Sequence, residues 1–416
     1  MKASRLVFNV IMILFIAGVT KAEADERPIC INTSDQFNPA ISGNKIVWED
    51  YRNGNWDFYL YDLDTEVETP ICINPSNPSS QERPDISGNK IVWMDSRNGN
   101  EDIYLFDLTT GLETPICTNP SRQEVPAISG NKIVWLDSRN GNSCIYLYDL
   151  DTEVETPICT NPSYQGYPAI SGNKIVLMDS RNGNDGIYLY DLDTEVETPI
   201  CTAKGEQDFP SISGNKIVWQ DYRNGNEDIY LYDLDTGLET PICTNPSNQS
   251  YPAISGNKIV WVDERNGDPY NSDIYLYDLD TGIETPICTA PSGQYSPAIS
   301  GNKIVWVDLR NGNYDIYLYE LGPTTTTNGE TTTTTTSPSP PCPAEVIYGE
   351  RSEETNMLRY IRDNILNQTA EGRELIKLYY LWSPTIVKVM EGDEEFKQEI
   401  RGVVDSILPM IEREME

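Results

Sequence analysis

Histidine is absent from all 416 residues. That removes every histidine-based triad, histidine-ligated metal site and imidazole proton shuttle. Basic residues are scarce: 30 Lys plus Arg stand against 65 Asp plus Glu, a formal charge of −35. Such a chain cannot neutralise a run of phosphates, which argues against nucleic acid as a partner. Phenylalanine is rare, 7 against 25 tyrosines. That balance suits half-buried strands whose hydroxyls reach water. No G-x-S-x-G is present, and no apolar run after Thr20 is long enough to span a membrane as a helix. What is present can bury a core: 38% of residues are hydrophobic and 10% aromatic. The acidity therefore belongs to a surface rather than to a disordered chain.

The N-terminus is a different kind of segment. Lys2 and Arg5 precede an apolar run from Leu6 to Thr20, and Ala22-Glu23-Ala24 follows. A basic start, a short apolar stretch and a small-x-small site describe a secretory signal peptide over residues 1–24. The mature chain is then expected at the cell surface or secreted, with no transmembrane span. Asn32-Thr33-Ser34, Asn248-Gln249-Ser250 and Asn367-Gln368-Thr369 are possible glycan acceptors there.

The dominant signal is an internal repeat. ISGNKIVW or a close variant recurs with its serine at 42, 87, 129, 171, 213, 255 and 300. Each copy continues through D-x-R-N-G-N, D-I-Y-L-Y-D-L and E-T-P-I-C-T-N-P-S. Residues 126–129, 132–137, 145–150 and 155–160 read as four short strands. Asn140-Gly141 reads as a two-residue hairpin turn with both φ positive. Pro157 marks the fourth strand as an edge. Four strands in about 42 residues is the signature of a propeller blade.

Strands one to three occur seven times, but a fourth strand follows a third only six times. The missing copy, Arg27-Pro28-Ile29-Cys30, stands alone before the first unit. An all-β seven-bladed propeller over residues 25–322 follows, with the N-terminal strand completing the last blade beside 316–321. A solenoid has no use for such a frame shift.

The unit SGNKIVWxDxRNGNxDIYLYDL, for example Ser213 to Leu234, resembles the PD40/TolB-like propeller repeat and, more narrowly, the repeat cell-surface proteins built on it. The resemblance implies the fold; propellers host binding, adhesion and enzymes alike.

Several positions are candidates for chemistry. Asp50, Asn53, Asn55 and Asp57 offer oxygens in a calcium-like cluster, although Arg52 among them repels a cation; the competing reading pairs each Asp with the Arg two residues on. Seven glutamines, among them Gln165, Gln207 and Gln249, precede strand one. They either satisfy loop backbone or form a polar collar at the channel mouth. Two residues after each glutamine the units differ: Asn38, Arg83, Val125, Tyr167, Phe209, Tyr251 and Ser296. Tyr167, Phe209 and Tyr251 fall on consecutive blades, as a glycan or peptide platform requires, or as inter-blade packing would. Six tryptophans, with Leu177 in the fourth unit, read as inter-blade core. The seven strand-four cysteines read as small buried residues rather than a disulfide framework, and Cys144 and Cys342, without counterparts, as reactive thiols. No residue is a candidate catalyst, and no cofactor is expected apart from the calcium alternative.

Residues 323–341, rich in Thr, Pro and Ser, form a linker. Residues 342–416 have helical periodicity. Cys342, Tyr348-Gly349, Gly372-Arg373 and LYYLWSP (Leu378 to Pro384) resemble the CFI-box C-terminal domain of exported proteins, which implies a sorting or retention role. The expected function is a non-enzymatic surface propeller that binds proteins or glycans through its loop face. The alternatives are a structural envelope or matrix spacer and, third, a propeller-based polysaccharide lyase or peptidase.

Overall fold

A computed structural model of the chain describes residues 25–72, 80–158, 163–266 and 270–321, with Gln398 and Arg401. The expected signal peptide, the linker and, apart from those two residues, the CFI-box-like domain lie outside the described residues. Residues 24–324 form one compact unit.

Seven four-stranded antiparallel sheets make a seven-bladed β-propeller. The blades span 36–72, 81–117, 123–157, 165–201, 207–243 and 249–288, and the seventh combines 294–320 with Asp25–Cys30. That N-terminal strand pairs antiparallel with Asp315–Glu320, setting Asp25 against Glu320, Arg27 against Leu318 and Cys30 against Ile316. The closure expected from the frame shift is therefore the observed one.

The core lies between blades. Val47, Phe58 and Leu60 of the first blade pack with Ile86, Ile91, Trp93 and Tyr104 of the second, and the pattern repeats round the ring. The six tryptophans are fully buried, with Leu177 in the seventh place. At roughly 25 cal/mol per Å² and about 150–250 Å² each, one such ring contributes about 4–6 kcal/mol of burial.

Two local details differ from the sequence reading. The Asn-Gly pair is not a two-residue turn: the strands end at Asp137 and resume at Cys144, and Gly141 alone turns left-handed, with φ +88° and its N–H on Ser138 O at 3.0 Å. The tight turn is Gly-Asn instead, with φ +59° at Gly130 and an ordinary φ at Asn131, the pattern of a II′ hairpin. Strand one is also longer than 126–129, running Gln123–Ser129, because it carries a bulge between Glu124 and Ala127.

A ring of hydrogen bonds stitches neighbouring blades. Each Gly-Asn turn donates its glycine N–H to the serine Oγ of the preceding blade, as Gly88 does to Ser42 at 2.9 Å and Gly172 to Ser129 at 3.0 Å. Gly43 closes the circle on Ser300.

Candidate functional site

The Asp-x-Arg positions build a structural joint. Asp50 is fully buried; its Oδ2 accepts Trp48 Nε1 at 3.1 Å and Arg52 Nη2 at 2.6 Å, and its Oδ1 accepts Arg52 N and Nε at 2.9 Å. The guanidinium lies 3.9 Å over Tyr59 and donates to Glu68 at 2.6 Å, so one arginine ties strands two, three and four together. It also donates to Cys30 Sγ, on the outer strand of the neighbouring blade, at 3.2 Å. The equivalent bond to Asp raises the pKa of Arg97, Arg139, Arg181 and Arg223 above its usual value.

This geometry leaves the calcium cluster no cage. Asp50 spends its oxygens on Arg52, and Asp57 accepts Asn53 Nδ2 at 2.8 Å and Asn55 Nδ2 at 2.6 Å. Among the described residues no group of acidic or thiol side chains gathers as a metal site.

The cysteines need two corrections. Cys30, Cys117, Cys201, Cys243 and Cys288 are free and buried, but they are not merely small apolar filler. Each accepts a guanidinium N–H of the next blade, at 3.0 Å for Cys117, Cys201 and Cys288. Burial pushes their thiols up to about 11 or 12. Cys144 is no reactive thiol: it is disulfide-bonded. Cys144 opens the third strand of its blade, Cys144–Asp149.

The glutamine collar is buried too. Gln165, Gln207 and Gln249 are at most 1% exposed. Gln207 and Gln249 donate to loop carbonyls Gly205 O at 2.8 Å and Ser247 O at 2.5 Å, and Gln165 to Asp179 at 3.1 Å. Gln207 and Gln249 thus tie down their own loops, and Gln165 is tied to the end of the second strand.

The variable position two residues on behaves differently. Asn38, Arg83, Val125, Tyr167, Phe209, Tyr251 and Ser296 all have left-handed φ, between +47° and +55°. A Cβ there costs about 1–2 kcal/mol. The fold imposes it as a bulge in every innermost strand, immediately before a proline that disfavours the right-handed helical region. Strain of this kind persists where the surroundings over-determine it, which is common at binding sites.

The bulge brings the three aromatics together. Tyr167 and Phe209 lie 4.3 Å apart between ring centroids, and Phe209 and Tyr251 4.6 Å. Tyr251 remains 50% exposed. Asp208 beside them is held near pKa 6 by burial and by the charges of Asp185, Glu206 and Glu227. Next to Tyr167 opens a cavity of about 480 Å³, walled by Arg83, Arg122, Glu124, Tyr164, Met94 and Leu136 among others. Arg122 is committed there to Glu101 at 2.9 Å and Glu124 at 2.6 Å.

A second aromatic group escaped the sequence reading. Tyr51 and Trp56 lie 4.9 Å apart, Trp56 and Phe37 5.6 Å, Phe37 and Tyr314 4.3 Å, and Tyr314 and Tyr295 6.4 Å. These five come from three different repeat positions on blades seven and one. Only aligning every variable position of the units, rather than one, would have found them.

The solved structures that resemble the fold are diverse. An oligogalacturonate lyase from Vibrio parahaemolyticus matches with TM-score 0.56 and 12% identity, over 72% of this chain and 94% of that one. The β-propeller domain of the Trilobed protease from Pyrococcus furiosus matches with TM-score 0.55 and 14% identity, over 69% and 93%. A prolyl endopeptidase matches with TM-score 0.54 and 11% identity, over 69% and 50%. At these identities the likeness is one of fold. No curated protein sequence matches. The PD40 model, described as the TolB beta propeller domain, matches residues 24–218 and 169–370. With the repeat motif, the seven sheets and this match in agreement, the chain belongs to the PD40 TolB-like β-propeller family.

Proposed function

We propose that this protein is a non-enzymatic, exported propeller that binds a surface glycan or protein at the channel mouth, on the arc of Tyr167, Phe209 and Tyr251. One observation carries the reading: the near-identical units diverge most at positions clustered on one face, and there their side chains form contiguous aromatic surface. A uniform spacer has no need of that asymmetry. The acidic flank of Asp185, Glu206, Asp208 and Glu227 favours ligands rich in hydroxyl or ammonium donors over polyanions. The signal-like residues 1–24 support an extracytoplasmic location.

Full-length protein and a Tyr167→Ala/Phe209→Ala/Tyr251→Ala variant should be compared on a glycan array and in pull-downs from envelope extracts. Discrete ligands lost in the variant support the reading. The absence of any ligand favours the structural spacer, and turnover of oligouronates or peptides favours an enzyme.

A further inference from the structure

We infer that Asn32 is an N-glycan attachment site, favoured over Asn248 by the loop that carries it. The inference rests on the extracytoplasmic location proposed above.

Among the described residues, the loops that enter a blade and carry asparagine, at 32, 119 and 245, adopt one shape. Asn32 Oδ1 accepts the N–H of Ser34 at 3.2 Å, as Asn119 does from Ser121 and Asn245 from Ser247, both at 3.2 Å. The tip asparagine of the neighbouring hairpin clamps the loop: Asn313 Nδ2 donates to Asn32 O at 2.7 Å and Ser34 O at 3.1 Å, as Asn100 does to Asn119 O and Ser121 O at 2.9 Å. The bond to Oδ1 directs the amide oxygen inward and leaves Nδ2 without a hydrogen-bond partner among the described residues. The Ser34 hydroxyl is likewise uncommitted among them. Ile31 and Thr33 on either side of Asn32 are exposed.

The middle residue then discriminates. The other loops with asparagine read Asn-Pro-Ser, at Asn74, Asn119, Asn161 and Asn245, and proline at that place blocks N-glycosylation. The opening segment alone has threonine, as Asn32-Thr33-Ser34. The competing tripeptide at 248 is poorly placed: Asn248 Nδ2 donates to Glu264 at 3.1 Å, Asn248 Oδ1 accepts Glu227 N at 3.3 Å, and Gln249 is fully buried in a strand.

The donor is an oligosaccharide linked to a polyprenyl phosphate or pyrophosphate. The bond from Nδ2 to the sugar C1 forms, the bond from C1 to the phosphate oxygen breaks, the lipid phosphate leaves, and the amide gives up one proton. The glycan would stand on the loop that leads into Phe37, beside the Phe37–Tyr314 pair.

The test is peptide mapping by mass spectrometry of the full chain isolated from its native host, with fractionation to locate it. The expected result is a saccharide mass on the Asn32 peptide, an unmodified Asn248 peptide, and loss of the mass in both Asn32→Gln and Thr33→Pro. The second variant reproduces the Asn119-Pro120-Ser121 loop, so it separates acceptor chemistry from misfolding. An extracytoplasmic protein with an unmodified Asn32, or a Thr33→Pro chain that keeps the saccharide, overturns the inference and leaves the location standing. A cytoplasmic protein overturns both.

Discussion

The backbone N–H of Gly43 donates to Ser300 Oγ at 2.9 Å, joining residues 257 positions apart in the chain. The six other serine–glycine bonds of the ring have the same form but join blades linked covalently by the next loop. Ser300→Ala should lower stability by about 0.5–1.5 kcal/mol, the worth of one such bond. Hydrogen exchange should show the loss concentrated at the seam of blades seven and one. An even loss of protection round the ring would refute a special role for this seam.

Arg139 sits at the centre of its blade's joint, with Asp137 fully buried beneath it at 2.6 Å. Arg139→Ala strands that carboxylate, and removing one partner of a buried pair costs about 3–5 kcal/mol. Urea unfolding should show this loss, and adding Asp137→Asn should recover part of it. No recovery would mean that packing against Tyr146, 4.2 Å from the guanidinium, is what matters.

Stability should fall as pH rises. Burial pushes Glu49 up to about 7 from 4.5, against bonds from Asn38 and the backbone of Arg83 that lower it. Asp85, Asp208 and Asp273 are pushed to about 6, in each case first by burial. Between the unfolded and folded values the native state holds more protons, so unfolding free energy declines with increasing pH. The melting temperature should drop from about pH 4.5 to about pH 7, and Glu49→Gln should flatten the upper part of that slope. A melting temperature that climbs over this interval would contradict the burial argument.

At Tyr251 binding and stability should separate. Its left-handed φ of +52° costs any residue with a Cβ, and half of its surface is in water. Tyr251→Gly should leave the melting temperature within a degree or two while abolishing ligand capture. A large drop would assign the side chain to inter-blade packing instead.

For Cys144 the expected partner, by analogy with the fourth blade, is Cys159, which lies outside the described residues. In the fourth blade Gly186 holds the equivalent place, and a Cβ built there would lie 2.9 Å from the carbonyl oxygen of Cys201, the counterpart of Cys159. Non-reducing peptide maps should link residues 144 and 159. Closing a 15-residue loop stabilises by about 3 kcal/mol, so reductant should lower the melting temperature measurably. A link from Cys144 to Cys72 or Cys342 would exclude this pairing.

Much of the architecture was legible because a repeat multiplies weak evidence. One unit suggests four strands; seven copies, with an orphan Arg27-Pro28-Ile29-Cys30, fix the blade number and the closing strand. The same identity hid the rest. The Cys30–Arg52 contact crosses blades, so no pattern within a unit reveals it. The left-handed bulge at Tyr167 is a backbone property that a tyrosine does not announce. Gln165 is ambiguous in the sequence because an amide serves a loop or a ligand equally well, and its burial is not written there. The Phe37–Trp56–Tyr314 group draws on positions that differ from unit to unit and from each other.

The left-handed bulge has a consequence for how such a chain can change. Because every innermost strand already carries that conformation, its backbone cost is built into the scaffold, smallest where asparagine sits and largest for the β-branched valine. Asparagine, arginine, valine, serine and three aromatics occupy equivalent seats without altering the sheet behind them. Mutation can therefore re-letter the mouth one seat at a time, as a combination lock is reset without recutting its case.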